Sequence, residues 1–252
     1  MVTLLSLCLL SSFADSLYTG GDYGRAVVEY KRLLFAQAID TPYGFYRIAM
    51  SYKLSRKYEE SIEYLKDAFE NPLPDSLADE LSLELADTYL RSLEYPQARL
   101  ELEEVETPRA KRLYAVSYLL EGNFQEAGKA LDERADPDGE LRALAREGGN
   151  LRLLDPNRMA ICSAILPGSG QVLSGHLKYG FLSFLLSTSS GFLIYDALRD
   201  RRLLDASLIF AQLFSRFYIG NIRNAYKLSQ EENLRRRKTF LSRSLLVGEY
   251  LE

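Results

Sequence analysis

Residues able to do chemistry are few in this chain of 252, and they do not converge. One histidine, His176, and two cysteines, Cys8 and Cys162, lie far apart in very different surroundings. A His-pair metal site, zinc-finger spacing and a disulfide framework each need several ligands at one point, so all three are excluded. The glycines of ILPGSGQVLSG, Ile165 to Gly175, invite a phosphate-loop reading. No Gly-Lys-Ser/Thr is present, no strand precedes them and the dinucleotide spacing is missing, so that reading fails. Neither a nucleophile–base pair nor a supported carboxylate pair is found. The expectation is a non-enzymatic protein with no cofactor, no metal and no small-molecule substrate. The rival class is a component of a membrane enzyme or of a transport or insertion system, with Arg216, Gln171 and His176 as its polar groups. Arg216 is the residue that carries a cost, because a charge at the middle of a membrane helix opposes insertion by about 2.5–3.5 kcal/mol. It needs a partner among Ser187, Thr188 and the carbonyls of the Pro-Gly turn, or an interfacial position from which it snorkels to headgroups.

The elements that must position these residues differ between the two halves. The chain is 47% hydrophobic, with 17 Tyr, 12 Phe and no Trp, which rules out a disordered or fibrous protein. Its net charge of −4 hides an asymmetry. From Asp15 to Ala135 there are 15 basic and 23 acidic residues, whereas from Asp136 onward there are 16 basic and 12 acidic. Different partners are expected for the two halves, and nucleic acid is disfavoured by the acidic first one. The opening MVTLLSLCLLSSFADS reads as a secretory signal over 1–14, a short apolar run with small residues before Asp15 but no basic start. The alternative is the first helix of the next domain. Leu7 is too bulky to precede a lipidated Cys8.

From Asp15 to Ala135 the sequence repeats itself. The phrases GDYGRAVVEYKRLL, RKYEESIEYLKDAF, LEYPQARLELEEV and GNFQEAGKALDER align at Ala26, Ser61, Ala98 and Ala127, spaced 35, 37 and 29 residues apart. Three are preceded by matching helical stretches, in which Ala49, Ala86 and Ala115 stand three before Tyr52, Tyr89 and Tyr118. Tyr58, Tyr95 and Phe124 fill the inter-helix turns. This pattern resembles the tetratricopeptide repeat family over about 120 residues, with a period near 34 residues. The resemblance implies a helical solenoid with an inner surface built from the first helix of each repeat. By position in the repeat, that surface carries Tyr46, Met50 and Lys53, then Leu83, Asp87 and Leu90, then Arg112, Val116 and Leu119. It is a groove for an extended peptide or partner helix, or else its apolar members are core or covered by the C-terminal half.

Asp136-Pro137-Asp138-Gly139, Gly148-Gly149 and Asp155-Pro156-Asn157 break the helical pattern and mark 136–157 as a linker, with ELRALARE between them as a capping helix. Beyond Arg158 the composition turns apolar. Leu177 to Leu198 is long enough to cross a bilayer, and Leu203 to Ile222 is a weaker second candidate; a buried soluble hairpin is the alternative. Small residues recur every fourth position at Ser183, Ser187 and Gly191, and at Ser207, Ala211 and Ser215, so each stripe is expected to face the other helix. Before the pair, Pro167 ends a helix, Gly168 and Gly170 permit a tight turn, and Gln171 can bond carbonyls that the turn leaves free. ILPGSGQ together with FYIGNIRNAYKL resembles a two-helix membrane domain of bacterial envelope proteins, over about Arg158 to Leu228, which implies location more than a reaction. Arg235-Arg236-Arg237-Lys238 and the spaced apolar residues after them suit an amphipathic helix on anionic lipid, or a solvated tail.

The expected fold is all-α: repeats over 15–135, the linker, a membrane-associated helical hairpin over 158–228, and a basic tail over 229–252. The expected partners are a protein or peptide in the groove and membrane lipid. The expected location is the bacterial inner membrane with the repeats in the periplasm.

Overall fold

A computed structural model describes residues 13–71 and 75–250. The expected signal falls outside these residues except for its last two, and so does Cys8. Among the described residues the protein is all-helical, without a strand. It divides into two compact units, one running up to Gly149 and resuming from Leu241, the other running from Asn150 to Phe240.

In the first unit, residues 13–19 are helical and are followed by α1 (Tyr23–Phe35), α2 (Thr41–Leu54), α3 (Tyr58–Phe69), α4 (Asp75–Arg91), α5 (Tyr95–Leu102), α6 (Pro108–Glu121), α7 (Phe124–Ala130) and α8 (Glu140–Gly149). From α1 to α8 each helix packs on the next; α4 also meets α6, and α6 meets α8. The small residues that align the repeats explain how the helices come so close. Ala26, Ser61, Ala98 and Ala127 are all fully buried, and so are Ala49, Ala86 and Ala115.

The turns repeat as well. Gly21, Arg56, Leu93 and Gly122 are all left-handed, and each stands five residues before the small residue of its repeat. After each, an amide reaches back to close the preceding helix: Asp22 to Leu17, Lys57 to Tyr52, Glu94 to Tyr89 and Asn123 to Tyr118, at 2.8–2.9 Å. This is the helix-ending turn for which glycine is the cheapest occupant, so Arg56 and Leu93 hold it under strain. At the end of the stack, α8 lies on Phe124, and a Cβ on Gly148 would stand 2.3 Å from that ring.

Ala14, the last residue of the expected signal, is fully buried in the first core beside Ala26, Val27, Tyr30, Leu33 and Ile48. The Asp15 carboxylate accepts from the Tyr30 hydroxyl and, at 2.6 Å, from Arg47. Residues 13–19 are thus helical and packed on the first unit.

The second unit contains α9 (Pro156–Ile165), α10 (Ser169–Leu173), α11 (Leu177–Arg199) and α12 (Leu203–Ile209). A π-helical turn, Phe210–Phe214, joins α12 to α13 (Ser215–Leu241). Helices α9, α10 and α11 pack in succession, and α11 packs on α12 and on the π turn. The two small-residue stripes do not face each other as expected. Ser187 is buried and Gly191 lies near the Phe214 ring, but Ser207 and Ala211 are exposed, and Ala206 is the buried residue of α12. The buried position of α12 is Ala206, one residue before Ser207, so the face it turns inward is about 100° from the expected stripe, and the π turn shifts the register again for the residues after it.

Candidate functional site

The residues expected on the inner face lie on α2, α4 and α6. Asp87 and Lys53 come together, with Lys53 Nζ 2.5 Å from the Asp87 carboxylate and 2.6 Å from Glu84. Arg91 reaches Asp87 at 3.0 Å, and Arg109 reaches Glu84 at 2.7 Å and Glu80 at 2.9 Å. Burial pushes the Asp87 carboxyl up, but the Lys53 charge and hydrogen bond, the Tyr250 hydroxyl and Arg91 together hold it below the usual carboxylate range. Pairing of this kind is what allows charges to be buried at all. Tyr46 and Met50 are half-buried, and burial raises the Tyr46 hydroxyl above its ordinary value.

Leu83, Leu90, Val116 and Leu119 are buried and present no free surface. Arg112 turns away from the ion network and donates to the Ala135 carbonyl at 3.1 Å. The chain's own end occupies part of the face. After α13 a short helix, α14 (Leu245–Gly248), packs on α6; Val247 is fully buried and Tyr250 nearly so. The Tyr250 hydroxyl donates to Asp87, the Arg91 guanidinium lies 4.8 Å from the Tyr250 ring centroid, and Arg91 also meets Glu249 at 3.3 Å. An open cavity of about 340 Å³ remains beside it, lined by Met50, Lys53, Arg56 and Arg91 among others.

Sequence reasoning missed Glu84, Arg91 and Tyr250. The first two stand three before and four after Asp87, which is the helical spacing for side chains that share a face.

In the second unit, the glycine turn is built as a buried polar lock. Leu166, extended before Pro167, ends α9, and Gly168 is left-handed at φ +91. A Cβ on Gly168 would lie 2.0 Å from the Gly180 carbonyl oxygen, and one on Gly170 would lie 2.0 Å from that of Met159. Only glycine permits these backbone approaches. Gln171 is fully buried. Its Nε2 donates to the Asn221 side-chain oxygen at 2.9 Å and to the Asn221 carbonyl at 3.0 Å, while its Oε1 accepts from Ser163 at 2.7 Å.

Asn221 closes the circuit. Its Oδ1 accepts from the Gly168 amide at 2.8 Å, and its Nδ2 donates to the Ser163 carbonyl at 2.7 Å. Tyr218 adds a bond to the Ala164 carbonyl at 2.6 Å. The two quoted phrases, ILPGSGQ and YIGN, thus meet in space, although Gln171 bonds to Asn221 rather than to the carbonyls of its own turn. The network ties α9, α10 and α13 together through Ser163, Gln171 and Asn221.

Arg216 is exposed, and neither Ser187 nor a turn carbonyl partners it among the described residues. Arg235 and Arg236 of the expected lipid-binding cluster ion-pair with Glu232 at 2.8 and 2.9 Å. Helix α11 is the one helix long and apolar enough to cross a membrane among the described residues, 23 residues with most of its apolar stretch exposed. Phe181, Leu182, Phe192, Leu193 and Tyr195 are all about half exposed or more, as are Leu203, Leu204 and Leu208 on α12. No group of three or more His, Cys, Asp or Glu converges among the described residues as a metal site requires. No protein-family model matches the chain, and no curated protein is found to be similar to it.

Proposed function

We propose that the protein is a non-enzymatic, membrane-attached scaffold of the bacterial cell envelope. In this reading α11, α12 and the start of α13 form a hairpin seated in the inner membrane, and the first unit is a tetratricopeptide-like solenoid that engages a protein or peptide partner. The observation that carries the proposal is the apolar surface of α11 and α12. A water-soluble chain rarely leaves so many large apolar side chains exposed along one helix pair, whereas lipid accepts them. At 1.5 Å per residue, α11 is about 34 Å long, enough for ~30 Å of hydrocarbon.

The recurring turns and buried small residues of the first unit support the solenoid. Its inner face takes a peptide whose hydroxyl or amide reaches Asp87 and whose acid reaches Arg91, the chemistry that Tyr250 and Glu249 supply from within the chain. Arg216 then lies beside the hydrocarbon at a cost of a few kcal/mol unless its head reaches headgroups. The test is alkaline extraction of membranes from cells expressing the full chain, followed by flotation of the purified protein with phosphatidylcholine vesicles. The protein is expected in the extracted pellet and in the floated fraction. Release into the alkaline supernatant would overturn the proposal.

A further inference from the structure

Between α11 and α13 the second unit holds a cleft of about 490 Å³ whose charge is all of one sign. Arg216, Arg223 and Lys227 line it with Asn224, from one face of α13, and Ser183 and Leu186 line it from α11. Arg223 lies two turns beyond Arg216 and Lys227 one turn further, so the three cations share one face over about 16 Å. No carboxylate lines the cleft, and among the described residues Arg216 and Arg223 have no ion-pair partner. Lys227 meets only Glu231, at 3.6 Å on the exposed surface. Further along α13, Arg235 and Arg236 share the one Glu232 carboxylate. Arg216 and Arg223 thus bring to the cleft positive charge that no carboxylate of its lining meets.

Its other wall carries Leu186 beside Ser183. Leu182 stands one turn before Leu186 on the same face of α11 and is 52% exposed. Cations stepped along one wall beside an exposed apolar ridge match a molecule that carries a phosphate at one end and hydrocarbon at the other.

We propose that this cleft binds one anionic glycerophospholipid. Its phosphodiester is held by Arg223 and Lys227 with the Asn224 amide, Arg216 reaches up to the same headgroup, and an acyl chain lies along Leu182 and Leu186. Guanidinium groups suit this role because they offer paired donors to phosphate oxygens. A headgroup with its own quaternary ammonium is rejected by the third cation, so the site distinguishes phosphatidylglycerol from phosphatidylcholine. The assignment rests on the membrane-attached reading and goes beyond it in naming the lipid.

The test uses the full chain in detergent, incubated with equal amounts of phosphatidylglycerol and phosphatidylcholine and examined by native mass spectrometry. One bound phosphatidylglycerol is expected, preferred at least fivefold. R216Q/R223Q should abolish the preference, R216K/R223K should keep it and so exclude misfolding as the cause, and R235Q/R236Q should leave it unchanged. Loss of preference in R235Q/R236Q with retention in R216Q/R223Q would overturn the site. Displacement of the lipid by millimolar inorganic phosphate would also overturn it, since the cleft would then be a general anion site. A chain that floats with phosphatidylcholine vesicles yet shows no lipid preference refutes the cleft and leaves membrane attachment standing. A chain that shows the preference in detergent but does not float refutes attachment alone.

Discussion

Replacing Asn221 with alanine removes the piece that closes the polar lock of the second unit. Asn221 is 3% exposed, so water does not readily replace what is lost. Alanine strands the Gly168 amide and the Ser163 carbonyl, bonded now at 2.8 and 2.7 Å; Gln171 keeps the main-chain carbonyl at 3.0 Å. Each stranded buried group costs about 1–3 kcal/mol, so local stability should fall by roughly 3 kcal/mol or more once the small cavity is included. Because every 1.4 kcal/mol is a factor of ten, amide exchange should accelerate about a hundredfold. Hydrogen exchange read by mass spectrometry on peptides covering 159–175 of the full chain in detergent reports this directly. Peptides from α2 and α4 serve as the internal control. Asn221→Asp keeps an acceptor for Gly168 and Gln171 but sets a carboxylate against the Ser163 carbonyl, and it should be intermediate or worse. Less than tenfold acceleration in Asn221→Ala, or the same change throughout the chain, would refute the lock.

Lys53→Met should destabilise the first unit by about 3 kcal/mol in thermal melts, since it withdraws the charge shared by two buried carboxylates, and an unchanged melt would contradict that role. Asp87 has its folded pKa depressed, so its contribution to stability is present above the usual carboxylate range and is lost as pH falls through the lower folded value. A pH series of melts should therefore show the first unit weakening below about pH 4, and weakening at higher pH in Lys53→Met. Leu93→Gly should stabilise the first unit by about 1 kcal/mol, because Leu93 is exposed and left-handed at φ 66; a loss of stability would show that its side chain matters more than its backbone. For topology, single cysteines at Ser55, Asp200 and Ser242, with Cys8 and Cys162 replaced, should react with an impermeant thiol reagent on spheroplasts at 55 and 242 but not at 200. The short basic loop Arg199–Arg202 is expected inside, and labelling at 200 without 55 would reverse the orientation.

The repeats were legible because their small residues recur in register, and those residues are the ones buried. The turns were less so: glycine at 21 and 122 announces a left-handed residue, whereas Arg56 and Leu93 take the same conformation with no signal in their type. Pro167, Gly168, Gly170 and Gln171 are legible as a turn from their types, but the partner of Gln171 lies 50 residues onward, and no local pattern identifies Asn221 as the closing residue. Lys53 and Asp87 are both read from repeat position, but their ion pair is not, since they lie 34 residues apart on α2 and α4. Leu83, Leu90, Val116 and Leu119 follow the alternative that the sequence leaves open, being core, because repeat position alone does not separate an exposed residue from a covered one. The tail was read from its basic cluster as a single element. Instead, Arg235 and Arg236 spend their charge on Glu232 within α13, and Val247 and Tyr250 bury themselves in the first unit.

Depth in the bilayer tests the membrane claim most directly. Single cysteines at Phe181, Leu185 and Phe192, with Cys8 and Cys162 replaced, can carry an environment-sensitive fluorophore in the full chain reconstituted with brominated phosphatidylcholine. Val28 and Phe35, which are exposed apolar residues of α1, provide the matched control. Strong quenching at the three α11 positions, deepest at Leu185 and Phe192, and none on α1 is the expected result. Equal and weak quenching at all five positions would contradict the account, because the apolar face of α11 would then not lie in lipid.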